Sequence, residues 1–214
     1  LRDSESICCA VQDVLKRTGG VIYALFNNGA YGQPGAVEDL TRDTLRAQLE
    51  TNLLGWLELT NQVLPVMRGQ GYGRIIQNSS VLGLFALEGL TDTLRLELAG
   101  TGIHVSLIEP GPIRSRFRQN ALEAFRRNID AEHSVHRQRY EGMLARLQTQ
   151  GDAAPFTRGP EAVLERVIHA LESRRPRVRY YVTVPTYLFG FLRRVLPYRW
   201  MDRLLLRVSG GGAR

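Results

Sequence analysis

Three short apolar runs, each cut off by small polar or glycine residues, constrain this chain most. They are residues 21–26 (VIYALF) ending at Asn27-Asn28-Gly29-Ala30, Arg74-Ile75-Ile76 ending at Asn78-Ser79-Ser80, and residues 103–108 (IHVSLI) ending at Glu109-Pro110-Gly111-Pro112. Unbroken apolar runs of this length fit strands covered on both faces. Helical patterns alternate with them. Residues 4–17 place Ile7, Val11, Val14 and Leu15 on one face, with Ser4 as a cap and Gly19-Gly20 as a stop. Residues 41–67 repeat leucine at 45, 49, 53 and 57, and residues 87–98 align Leu87, Leu90 and Leu94. Strands alternating with helices predict an α/β fold, a Rossmann-type doubly wound parallel sheet with right-handed crossovers.

The remainder follows the same grammar. Residues 160–171 read as a helix with Pro160 near its start, and residues 178–183 as a further strand. Residues 1–214 are expected to form a single domain, with 116–158 as a polar helical flap and 186–214 as an amphipathic tail. In an open parallel sheet, ligands bind beyond the carboxyl ends of the strands. Three such ends in a row carry polar or glycine clusters, so that edge is the expected site.

Composition narrows the setting. No run approaches the ~20 apolar residues needed to span a bilayer. Cys8 and Cys9 are adjacent within a predicted helix, a poor disulfide framework, so a reducing cytoplasm is expected. Both are expected at the helix–sheet interface, and His104 within a packed strand. The net charge of +7 is nearly all arginine, with Lys16 the one lysine. These arginines are scattered among carboxylates, which argues for a solvated surface and against nucleic acid. His133-x-x-His136 has metal-ligand spacing, but no cysteine or third histidine accompanies it, and a solvated helix is expected with no metal.

The strand-end residues resemble those of the short-chain dehydrogenase/reductase family. Asn27-Asn28-Gly29-Ala30 is similar to its NNAG motif with Gly and Ala exchanged. Asn52 in Thr51-Asn52-Leu53 matches its helix asparagine, and Ser80 in Ser79-Ser80-Val81 its catalytic serine. Pro110-Gly111-Pro112-Ile113, followed by Ser115, matches its PG motif. The back half, Pro160-Glu161-Ala162-Val163 and Arg179-Tyr180-Tyr181, resembles the branch holding 17β-hydroxysteroid and retinol dehydrogenases and bacterial NADP-dependent aldehyde reductases.

The resemblance implies hydride transfer between NADP(H), with NAD the lesser expectation, and a small apolar aldehyde, ketone or alcohol. It implies that Ser80 holds the substrate oxygen and that Asn52 kinks its helix and serves a proton relay. Asn28 and Gly29 would lie under the adenosine side of the cofactor, and Pro110, Gly111, Ile113 and Ser115 at its nicotinamide end. A homo-oligomer is expected. Phe117, Phe125 and Tyr140 either line an apolar substrate pocket or pack the flap against the core. The tail either makes a protein contact, the favoured reading, or rests on a membrane surface.

Two family features are missing. No glycine-rich TGxxxGxG turn occurs, and no tyrosine has lysine four residues on. Family spacing puts the tyrosine just after Phe85-Ala86, where this sequence passes directly to Leu87. The expectation is that further residues belong between Ala86 and Leu87 and ahead of Leu1. The alternative is a non-catalytic dinucleotide-binding protein with a scaffold or regulatory role.

Overall fold

The computed structural model describes residues 1–80, 85–149, 151–152 and 154–208. Its strands form one parallel sheet in chain order: β1 (Ala24–Asn27), β2 (Gly73–Asn78), β3 (Ile103–Glu109) and β4 (Arg179–Tyr181). Helix α1 (Ser4–Thr18) precedes β1, while α2 (Arg42–Leu49) and α3 (Gly55–Gln70) connect β1 to β2. Helix α4 (Phe85–Glu97) joins β2 to β3, and α5 (Phe117–Asn128), α6 (Arg137–Gln148) and α7 (Glu161–Glu172) separate β3 from β4. The chain then enters α8 (Val184–Val195) and α9 (Tyr198–Val208). The parallel α/β architecture expected from the alternation is the one observed.

The period-two alternation of side chains across a strand divides the core in two. Ile75 and Val105 face α1, α3 and α4, where they meet Val11, Val63, Met67 and Leu98. Ile76 and Ile108 face the other way, against Ala162, Val167 and Ala170 of α7. The chain turns tightly at the amino edge of the sheet. Gly71 closes α3 at φ 75°, and its N–H donates to the carbonyls of Met67 and Arg68. Gly102 (φ 78°) passes so close that a Cβ there would lie 2.1 Å from the Gly71 oxygen, so only glycine fits.

Several expectations of burial fail for one reason, the absence of a covering neighbour. The run 21–26 forms a strand only over its last residues, and β1 is the edge strand, with Tyr23 and Phe26 exposed. Phe26 is in register with Ile76, but α7 lies chiefly over β2 and β3. His104, paired with Arg74, is exposed near the start of β3. Helix α1 buries Ile7 and Val11 against α3, leaving Val14, Cys8 and Cys9 exposed. Its cap is Asp3, whose carboxylate accepts from the N–H groups of Glu5 and Ser6, rather than Ser4.

Ala86 and Leu87 are successive residues of the unbroken helix α4. In the sequence as it stands, no tyrosine has lysine four residues on.

Arg179 ties the sheet to α4. Its guanidinium donates to Glu109 of β3 at 2.8 Å, to Asp92 of α4 at 2.8 Å and to Glu88 of α4 at 3.2 Å. Burial works against the charge on Arg179, but the three carboxylates outweigh it and hold its pKa above the ordinary value. Burial likewise opposes ionisation of Asp92, while hydrogen bonds from Arg95 and Arg179 hold its pKa below 3.8. A depressed carboxylate pKa gives stability that is present above the unfolded value and is lost as pH falls through the folded one. Replacing Arg179 strands two largely buried carboxylates without their cation. We therefore expect Arg179→Met to lower unfolding stability in urea by about 2–3 kcal/mol at pH 7. The deficit should shrink below about pH 4, where carboxylates take up protons; an unchanged midpoint at pH 7 would remove the hub from the stability argument.

Candidate active site

The register levels the carboxyl ends of the first three strands. Asn27 pairs with Gln77, and Asn78 with Ile108. Side chains then lock the ends together. The Asn27 Nδ2 donates to Gln77 Oε1 (2.9 Å) and to Thr60 Oγ1 (3.1 Å), all three residues being buried. One step outward, Asn78 Nδ2 donates to Asn28 Oδ1 at 2.6 Å, and the Ser79 N–H donates to the Ile108 carbonyl at 2.8 Å. Asn28, Asn78 and Ser79 thus converge on one edge.

Two polar atoms there have no partner. Asn78 Oδ1 and Ser79 Oγ are buried without a hydrogen bond. An unmet buried polar atom costs about 1–3 kcal/mol unless something fills it. Together they offer an acceptor and a hydroxyl, which suits a ligand carrying both donor and acceptor, such as a carboxamide or a sugar hydroxyl. Ser80, the residue expected from family spacing, is exposed at the same strand end. The structure therefore adds Ser79 and Asn78 to the candidates. Their signal in the sequence was only their place in the cluster 78–80.

Gly29 is exposed beside Asn28, and its carbonyl accepts the indole N–H of buried Trp56 at 2.9 Å. Asn52 acts on the same loop. Residues Glu50–Leu54 form a π-helical turn between α2 and α3, a widening frequent at functional sites. That turn directs the buried Asn52 at the backbone of Tyr31, donating to its carbonyl (2.8 Å) and accepting from its N–H (3.2 Å). The amide contacts seen are structural, leaving one N–H and one lone pair for any relay.

The segment after β3 is tightly built. A Cβ on Gly111 would lie 2.0 Å from Thr183 Oγ1 and 2.7 Å from Thr186 Oγ1 at the start of α8. Glycine is thus required there by protein packing, whatever else it contacts. Pro110 is half-buried. Ile113 packs against the α7 side of the core, bridging to Arg158. Ser115 Oγ accepts from the Phe117 N–H at 3.3 Å, at the entry to α5.

Of the three flap aromatics, two pack into the core and one stays exposed. Phe125 and Tyr140 are buried edge to face, ring centroids 5.0 Å apart, with Ile129 beside them. The Tyr140 hydroxyl donates to Asp39 and accepts from the Ala36 N–H. Burial and the neighbouring carboxylate raise the Tyr140 pKa; hydrogen bonds from Ser134 and Tyr140 lower that of Asp39. Only Phe117 is exposed, its ring against Gly32. His133 pairs with Asp130 and His136 with Glu38, so each histidine has a carboxylate partner.

The short chain dehydrogenase family profile matches residues 1–125. The chain is 38% identical over 218 residues to the uncharacterized oxidoreductase YbbO of Escherichia coli K12, covering 96% of this chain and 75% of that protein. That alignment is longer than the 214 residues here, so the relative holds positions this chain lacks. Human 17-beta-hydroxysteroid dehydrogenase type 1 is 32% identical over 198 residues, covering 86% of this chain and 58% of that protein. Among solved structures, a Streptomyces avermitilis short-chain dehydrogenase superposes with a TM-score of 0.68 at 25% identity, covering 99% of this chain and 78% of that one. An actinorhodin polyketide ketoreductase variant with NADPH gives 0.65 at 26% identity, covering 85% and 73%. These relatives include the hydroxysteroid branch expected from the back half, and none of those named supports the scaffold alternative. The chain belongs to the short chain dehydrogenase family of oxidoreductases.

Proposed function

We propose that the carboxyl edge of the sheet binds the nicotinamide end of NADP(H), and that the chain reduces apolar aldehydes or ketones or oxidises the corresponding alcohols. The observation that carries this is the pair of unsatisfied buried atoms, Asn78 Oδ1 and Ser79 Oγ, at the edge where ligands of open parallel sheets bind. The ketoreductase variant solved with NADPH supports the choice of NADP over NAD. The free thiols of Cys8 and Cys9 fit a reducing cytoplasm, and the protein works as a homo-oligomer.

When bound, the nicotinamide supplies or accepts the hydride. Asn28 and Gly29 hold the adenosine side from the β1 end, and Pro110, Gly111, Ile113 and Ser115 flank the nicotinamide from the β3 end. Ser80 donates a hydrogen bond to the substrate oxygen. Asn52 keeps the Tyr31 loop in place. Residues 116–158 cover the substrate, with Phe117 facing it, and residues 186–214 form a separate surface element.

Proton delivery is where this chain departs from its family. No tyrosine lies between Ser80 and Tyr140, and Lys16 sits on α1. The proton on the substrate oxygen therefore comes from solvent beside the exposed Ser80. Losing a positioned general acid costs about 10²–10⁴ in rate. Reduction of an apolar aldehyde is expected slower by that order than in relatives that keep Tyr-x-x-x-Lys.

Trp56, bonded to the Gly29 carbonyl, gives a direct readout of cofactor binding. NADPH should quench its emission saturably and more tightly than NADH. Ser79→Ala should weaken that binding. Ser80→Ala should leave it within about twofold while lowering turnover about 10²-fold. Absence of saturable quenching by either cofactor, from a folded sample, would overturn the reading.

A further inference from the structure

Helices α8 and α9 end the described chain with an unusual surface. Val184, Leu188, Phe191 and Val195 recur at i, i+4, i+7 and i+11 of α8, and each is 52–64% exposed. Residues at these spacings share one helix face. On α9, Tyr198 (90%), Trp200 (60%) and Leu205 are exposed as well. The two helices meet through a crevice lined by Leu192, Leu196 and Leu204, with Trp200 and Arg203 at it as well. Val184, Leu188, Phe191 and Val195 are additional to the residues that hold the pair together. No helix among the described residues is long and apolar enough to cross a membrane.

Charge decides what covers this surface. Residues 184–208 contain five arginines and one carboxylate, Asp202. Arg194, Arg199 and Arg203 are exposed beside the apolar residues, and the Arg203 guanidinium lies 5.6 Å over the Trp200 ring. A two-fold contact between identical copies sets the same patch against itself. Arginines would then face arginines, with a single aspartate per copy to balance them. A partner that is apolar within and anionic outside matches both features. Interfacial helices combine arginine on the polar face with tryptophan, phenylalanine and leucine on the other, and arginine stems bury along the apolar surface while the charge reaches phosphate.

We propose that the α8–α9 pair docks the protein peripherally on an anionic lipid bilayer, with Phe191, Val195 and Trp200 entering the acyl boundary and Arg194, Arg199 and Arg203 meeting the lipid phosphates. This surface lies outside the residues assigned to cofactor and substrate. It also reverses the preference for a protein contact that the tail sequence alone suggested.

The full chain would be mixed with vesicles of phosphatidylglycerol and phosphatidylcholine, and in parallel with phosphatidylcholine alone, and bound protein measured by co-sedimentation. The chain has two tryptophans, and Trp56 is buried, so a blue shift in emission reports Trp200. Binding and a blue shift are expected with the anionic vesicles only, and both should weaken at high salt. Arg194→Glu with Arg203→Glu should lower vesicle affinity at least about tenfold. Phe191→Ser with Val195→Ser should abolish the blue shift. Helix content and NADPH quenching should stay unchanged in both, and Trp200→Phe should remove the shift while binding persists. Equal binding to neutral vesicles, or none to anionic ones, would overturn the proposal. So would a lipid-free dimer, seen by sedimentation velocity, that either double variant dissolves.

Discussion

The β3–β4 corner of the candidate site leans on one guanidinium surrounded by three carboxylates. Arg179 comes from β4, Glu109 from β3, and Glu88 and Asp92 from successive turns of α4. Each of these charges loses hydration on folding, and the loss is offset only while the set is complete. Glu109 ends β3 and directly precedes Pro110-Gly111. The same pairing that staples α4 to the sheet therefore sets where the segment after β3 departs. From there the backbone runs so close to Thr183 and Thr186 that only glycine fits at 111. Ion cluster, strand end and start of α8 form one rigid corner.

The opposite corner is held by neutral hydrogen bonds. Buried Thr60, Asn27 and Gln77 bind β1, β2 and α3 to one another beneath the edge. Asn52 and Trp56 then grip the loop after β1 at Tyr31 and Gly29. A neutral network is cheaper to desolvate than an ionic one and accepts small changes in spacing. The β1 side of the edge is thus built from amides and hydroxyls, and the side nearer α4 from charges. Asn78 and Ser79 lie between these corners, the place where an unfilled polar atom points to a ligand rather than to a packing fault.

Much of this was legible in the residues. The apolar runs located three strands, and the clusters that end them are level in the sheet, as their order along the chain implied. Apolar character could not say whether a neighbour exists. Phe26, His104, Cys8 and Cys9 carry the pattern of buried residues but are exposed. The leucines of residues 41–67 gave no sign of the π turn at Glu50–Leu54, because one widened turn barely disturbs a four-residue spacing. Family spacing singled out Ser80, and no local pattern showed that the Ser79 hydroxyl would be the buried one. Gly111 could be read as part of a motif, yet its immediate necessity, the approach of Thr183, depends on a residue 72 positions away that no local pattern reveals.

The tight glycine turns at Gly71 and Gly102 lie at the amino edge, at the far end of the strands from Asn28, Ser79 and Gly111. Backbone that tolerates no side chain thus recurs at the amino edge, away from the candidate site, as well as at Gly111 within it. Selection acting on substrate range can redraw the loops at the carboxyl edge without touching those turns. Drift at the amino edge, in contrast, is penalised through folding alone. A library aimed at new substrates should therefore be confined to the carboxyl-edge loops and should leave Gly111 as it is.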